Sequence, residues 1–335
     1  MFNGQMGDDW KWLPLLLLVA AIAFLFFDPL GMKGSQVTYV INPVIRATPT
    51  PIPLPPVVPP GGPPPGGPPP IAGYPTYDTT GPKTAPQTPY AGGAIVNQSN
   101  VVLDGYIFSD CVQVVGDNIT IRNSRFQASC NGAPMVWLRE GVNLIVEDSE
   151  FVGLKAGTGL PSAAVTCSSC TVQRNRVRGT IDGFDPNGTA QIIGNYVGQL
   201  GGGIVNGAPT QNAGFRVADG AGVLIQNNSI EHDCGISRTD SGGAGGCTAS
   251  AIFQPFCAGC SIGGATLDNN YFRKWNGTTG SVTTVVTSDN SLNIKVNNNI
   301  FGDTPVAFCT LLNGGTITEW TNNKREDGTA VAKSC

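Results

Sequence analysis

Two short clusters hold the residues whose types and spacing suit chemistry. Glu231-His232-Asp233 places the chain's single histidine between two carboxylates, an arrangement suited to a general base. Asp182-Gly183-Phe184-Asp185 supplies a pair of carboxylates. Such a pair suits acid–base cleavage of a glycosidic bond, or a Ca²⁺ site if the chemistry is that of a lyase. Asp148 and Arg174 fall close by in repeat order, and Arg216, Asp219, Arg238 and Asp240 are substrate-binding candidates in the two longest inserts. Each cluster also has a plain reading: a solvated corner for Glu231-His232-Asp233, and a turn dipeptide for Asp182-Gly183.

The elements that must position these residues follow a repeat. An alternating apolar strand, then Asn or Ser, any residue and a large apolar residue recurs as Ile119–Phe126, Leu144–Phe151, Val172–Val177, Ile192–Val197, Leu224–Ile230, Leu267–Phe272 and Ile294–Phe301. Val101–Phe108 is an atypical first copy and Trp320–Lys324 a worn last one. The terminal residues Phe126, Phe151, Val177, Val197, Ile230, Phe272 and Phe301 lie 20 to 42 residues apart, the period of a solenoid. The alternation has period two, so the repeating unit is built of strands. Successive strands should stack in parallel ~4.8 Å apart, about nine coils in all. No coil buries its apolar side alone, so stacking supplies the stability. The corners at Asn123, Asn175, Asn195, Asn227–Asn228, Asn269–Asn270 and Asn297–Asn299 suit tight bends, because Asn tolerates the left-handed region and its amide can bond its counterpart in the next coil.

In these strands and Asn-rich corners, and in the Ser250–Phe253 coil, residues 92–335 resemble right-handed parallel β-helix proteins of the pectate-lyase-like superfamily, of bacterial surface or viral type. The resemblance implies an all-β, right-handed single-chain parallel β-helix. It implies no single activity, because that superfamily holds lyases, hydrolases, epimerases, adhesins and tailspikes. The polygalacturonase-like motifs Asn-Thr-Asp, Asp-Asp, His-Gly and Arg-Ile-Lys are absent. Gln211-Asn-Ala-Gly-Phe215 stands where many bacterial relatives carry His-x-Asp-Gly. No catalytic residue transfers by motif.

Ten cysteines, all after the proline-rich stretch, point to disulfides in an oxidising compartment. In the expected fold Cys111 and Cys130 stack on neighbouring coils, Cys234–Cys247 closes a Gly-rich insert and Cys309–Cys335 pins the last coil. The pairs Cys167-x-x-Cys170 and Cys257-x-x-Cys260 fall about three coils, ~14 Å, apart. One zinc needs every thiolate ~2.3 Å away, so local bridges are expected and no metal site.

The remaining organisation is amino-terminal. Residues 1–9 form a short tail, and 10–31 an uncleaved transmembrane signal anchor whose apolar core is Leu13–Phe27. Residues 32–89 are a Pro/Gly-rich linker or stalk, and 90–335 the β-helix domain. Eighteen of the 26 prolines lie between Pro43 and Pro89, a composition that favours polyproline II and cannot bury a core. A net charge of -4 and few charged residues argue against nucleic acid as a partner. The expectation is a membrane-anchored extracellular head that recognises, and in its enzymatic form cleaves, surface polysaccharide. The alternatives are a non-catalytic adhesin or envelope structural protein, or a trimeric host-recognition spike of a membrane-containing virus.

Overall fold

The computed structural model describes residues 71–154, 159–201, 204–205, 208–209, 211–218, 221–232, 248–249, 251–255, 263–274, 284–289, 293–302, 307–312 and 314–335. The expected tail, membrane span and first part of the linker lie outside the described residues. So do Asp219, Asp233, Arg238, Asp240, Cys234, Cys247, Cys257 and Cys260. Among the described residues the regular elements are all strands, and no helix is long and apolar enough to cross a membrane.

Among the described residues three long sheets carry the chain, each built of parallel pairs. The first has nine strands, from Val102–Asp104 to Ile317–Thr321. The second has ten, from Thr88–Pro89 to Lys324–Arg325, and the third nine, from Ile95–Val96 to Ala307–Leu312. One coil runs Leu144–Glu147, Glu150–Gly153, Ala163–Ser168 and then passes to Cys170–Gln173 of the next. This is the arrangement of a parallel β-helix solenoid.

Alternation in the sequence becomes columns in the core. In the second sheet Phe108, Phe126, Phe151, Val177, Val197, Ile230, Phe272 and Phe301 stand in register, each almost fully buried. The rings of Phe108, Phe126 and Phe151 stack with centroids 4.3 and 4.7 Å apart, close to the strand spacing. Removing each such ring from water contributes roughly 2–3 kcal/mol. The first sheet adds Ile121, Val146, Val172, Ile192, Ile225, Leu267 and Val296, and the third adds Val165, Phe184, Phe215 and Phe253.

Each corner between the first and second sheets is made by two residues with different tasks. Asn123, Asp148, Arg174, Asn227, Asn269, Asn298 and Asn322 take φ between 47° and 58°, the left-handed bend that Asn and Asp accept most readily of the side-chain-bearing residues. The next residue turns inward. Asn175, Asn195, Asn228, Asn270, Asn299 and Asn323 are 0 to 2% exposed and form one buried amide ladder. Each Oδ1 from Asn195 onward receives both the backbone N–H and an amide proton of the preceding ladder asparagine, at 2.8–3.1 Å, and Asn175 Oδ1 receives the Ser149 N–H at 2.9 Å. The other amide proton goes to a backbone carbonyl, such as that of Val172 for Asn195. The bend therefore leaves no ladder amide unsatisfied, as burial demands.

Residues 71–89, the described end of the Pro/Gly-rich linker, lie along these corners and run against the order of the coils. Tyr74 Oη donates to Asn269 Oδ1, Tyr77 Oη to Glu150 Oε1, the Gly81 N–H to the Arg174 carbonyl and the Lys83 N–H to Asn123 Oδ1. Thr88–Pro89 then pairs with Tyr106–Ile107 in the first coil. Beneath this strap Glu150 is buried between Arg125 and Arg176, at 3.3 and 3.1 Å, and the Arg176 guanidinium lies 4.5 Å from the Tyr77 ring centroid.

Disulfides join Cys111 to Cys130, Cys167 to Cys170 and Cys309 to Cys335. The first links successive coils and the last ties the terminus to the third sheet.

Candidate functional site on the third sheet

The third sheet gathers three of the residues singled out by type. Phe184 pairs with Phe215, and both are inside the core. The residue after each, Asp185 and Arg216, therefore turns to the outer face, since successive side chains alternate across a strand. Thr166 is the partner of Asp185 on the other side, and Trp137 is the partner of Thr166. Trp137, Thr166, Asp185 and Arg216 thus form one row across four neighbouring strands. Trp137 is 37% exposed, with the Arg139 guanidinium 5.9 Å from its ring. By strand spacing Trp137 stands roughly 10 Å from Asp185.

Asp182 enters the row from the start of its strand. It does not form the turn that Asp182-Gly183 suggests. Residues Asp182–Asn187 are a strand, and Asp182 is fully buried. Gly183 is needed for close approach instead: a Cβ there would stand 2.4 Å from the Gly214 carbonyl oxygen. Asp182 Oδ1 accepts the Ala213 N–H at 2.8 Å, and Oδ2 lies 3.2 Å from Arg216 Nη1.

Two carboxylates facing one guanidinium cannot both ionise cheaply out of water. Burial, and then the charge of Asp185, push the Asp182 carboxyl well above its usual range, against the pull of Arg216 and the Ala213 N–H. Burial pushes Asp185 to about 7, opposed by Arg216 and by Thr166, whose hydroxyl donates to Oδ2 at 3.2 Å. Among the described residues Asp185 Oδ1 has no hydrogen-bond partner. Near neutral pH the group can hold or release a proton two strands away from the exposed Trp137 indole.

The second cluster is differently placed. Glu231 and His232 lie in the strand Ser229–His232 and not at a corner, and His232 pairs with Lys274. Glu231 accepts the Tyr196 hydroxyl at 2.8 Å. Burial raises its carboxyl, against Tyr196 and Arg273. It belongs to the second sheet, so the structure does not bring it together with Asp182, Asp185 and Arg216. Asp148 and Arg174 are a corner ion pair at 2.9 Å, joined by Glu147 and Lys83. Asn212, in the stretch that replaces a family motif, is buried and donates to the Ile181 and Gly201 carbonyls.

Among the described residues no three His, Cys, Asp or Glu side chains converge as a metal would require. Type and spacing missed Trp137 and Thr166. The signal for Trp137 was present in Val136-Trp137-Leu138, where a large aromatic sits between two inward apolar residues. None of the family models, curated proteins or solved structures compared with the chain matches it.

Proposed function

We propose that this chain displays a β-helix head outside a membrane, and that the outer face of the third sheet recognises an extracellular polysaccharide. The observation that carries the reading is the row Trp137, Thr166, Asp185 and Arg216. An exposed aromatic face stacks on a pyranose ring, and a carboxyl and a guanidinium within a few strand spacings take its hydroxyls or acidic groups. Asp185, with its carboxyl near 7, is the group in that row suited to proton transfer. Three disulfides among the described residues of a weakly charged chain support an oxidising, extracytoplasmic location. Right-handed winding and kinship with the pectate-lyase-like superfamily belong to the same reading; connections between parallel strands are right-handed in nearly all known cases.

The test is a panel of neutral and acidic polysaccharides offered to the full chain in detergent, with calcium or with chelator. Binding by affinity electrophoresis that weakens about tenfold in Trp137→Ala supports the reading, a change of ~1.4 kcal/mol. New reducing ends, lost in Asp185→Asn, assign hydrolysis; ultraviolet absorbance abolished by chelator assigns a calcium lyase. Retention of no polysaccharide overturns it. In that event the self-satisfied Asn ladder and the strap favour a structural adhesin or spike, and a trimeric mass on virions would separate the viral case.

A further inference from the structure

The strap leaves part of the corner row uncovered. It lies over that row at Asn123, Asp148 and Arg174 and meets it last at Asn269, through the Tyr74 hydroxyl. Beyond that point is a cleft of about 520 Å³ lined by Tyr74, Asp268, Asn269, Asn298, Asn322 and Lys324, among others. The bottom of the cleft is the buried ladder at Asn299, and its rim is the exposed, left-handed row.

The hydrogen-bonding capacity of that row is only partly used. Asn298 Nδ2 donates to Asp268 Oδ1 at 2.7 Å, and Asn322 Nδ2 donates to Asn298 Oδ1 at 2.9 Å. Asn269 Nδ2 donates to Asn227 Oδ1. An amide NH₂ has two protons and its oxygen two lone pairs, so each of these residues keeps a donor or an acceptor for a ligand. Charge in the cleft is nearly balanced. Asp268 has both oxygens engaged, Oδ1 by Asn298 and Oδ2 by Gln226, and among the described residues Lys324 is the one cation of the rim. The Tyr74 ring closes one end, its centroid 5.8 Å from that of Tyr271.

From this geometry we propose that the cleft is a docking site for an extended, neutral polysaccharide chain lying along the solenoid from Asn269 to Asn322. The proposal rests on the glycan reading and names a second, separate surface for it. Successive amides recur at the strand spacing of ~4.8 Å, close to the advance per sugar of an extended β-1,4-linked pyranose chain. Paired donor and acceptor on each amide match vicinal hydroxyls, and Tyr74 offers a ring at the end where the strap begins. The strap itself shows that an extended polymer fits this row, because it occupies the same corners in the earlier coils.

The experiment is calorimetric titration of the full chain in detergent with cellohexaose, mannohexaose and xylohexaose, with hexagalacturonate as the acidic comparator. The expected result is binding of at least one neutral hexasaccharide, weakened tenfold or more in Asn298→Gly and in Asn322→Gly. Glycine keeps the left-handed bend and removes only the amide. Should either variant fail to fold, hydrogen exchange of the unaltered chain decides: the neutral hexasaccharide must slow exchange across residues 298–324. A hexasaccharide that binds without that protection, or whose affinity falls only in Trp137→Ala, overturns the cleft and leaves the third-sheet reading standing. Preference for hexagalacturonate overturns it too. No hexasaccharide binding, with the polysaccharide panel still positive, removes the cleft alone; a negative panel removes both.

Discussion

Asn228 Oδ1 accepts two hydrogen bonds from Asn195, one from its backbone N–H at 2.9 Å and one from its side-chain amide at 3.0 Å. The two residues are 33 positions apart in the chain and one coil apart in space. The same relationship links Asn175 to Asn195, Asn228 to Asn270 and Asn270 to Asn299, so a corner in one coil is completed by the next. A residue that looks like a surface turn is thereby a core residue.

Replacing Asn228 by Leu should consequently destabilise the head by about 2–4 kcal/mol, because it strands the Asn195 donors in a dry interior. Its neighbour Asn227 is exposed with φ 56° and bears no such load. Asn227→Gly should stay within about 0.5 kcal/mol of the parent, whereas Asn227→Val should cost about 1–2 kcal/mol through the left-handed bend. Urea midpoints of the three variants check the ranking.

Arg216 is the cation against which both third-sheet carboxyls are set. Arg216→Met should destabilise the head by about 3 kcal/mol at neutral pH, since removing one partner of a buried pair leaves charge uncompensated. The loss should shrink in acid, where Asp182 and Asp185 are protonated. Unfolding midpoints at pH 5 and pH 8 give the comparison, and an equal loss at both would contradict the assignment.

The raised carboxyl of Asp185 has a definite sign in stability. Its folded value, about 7, lies above the ordinary carboxylate range, so between roughly pH 4 and pH 7 the folded chain binds the proton that the unfolded chain has released. Its contribution is complete below pH 4, falls as pH rises and is gone above about pH 7. Asp182 is shifted in the same direction, by burial first and then by Asp185, and adds to the slope. Asp185→Asn should flatten the decline across that window, as measured by denaturant unfolding at half-unit steps. An unchanged slope would mean that Asp185 titrates normally.

Tyr77 holds the strap to the second sheet through its hydroxyl on Glu150, its ring under Arg176 and an edge contact with Tyr196 at 6.0 Å. Tyr77→Ala should release the strap, so that trypsin cuts after Lys83 at least tenfold faster than in the parent. Tyr77→Phe loses only the 3.3 Å hydroxyl bond and should change the rate a few-fold at most. Mass analysis of timed digests distinguishes the two.

The solenoid was legible in the sequence because its strongest contacts join like positions of successive repeats. Phe126 meets Phe151, and Val197 meets Ile230, so spacing and alternation already describe the core. The bends were legible for the same reason, since Asn227 and Asn269 are the residue type that a left-handed backbone favours. Tertiary structure alone decided which asparagine of each pair is buried, because that depends on whether the next coil offers a partner amide. It also decided the fate of Asp182-Gly183. That dipeptide reads as a turn, yet Gly183 serves the approach of Gly214, and Asp182 is buried in an ion pair with Arg216, 34 residues away. The row from Trp137 to Arg216 crosses loops of unequal length, which hide its regularity from any fixed spacing. The strap was hidden by composition. Its Gly- and Pro-rich stretch has too few apolar side chains to predict burial, and it is held by polar partners such as Glu150 and Asn269 that only folding places beside it.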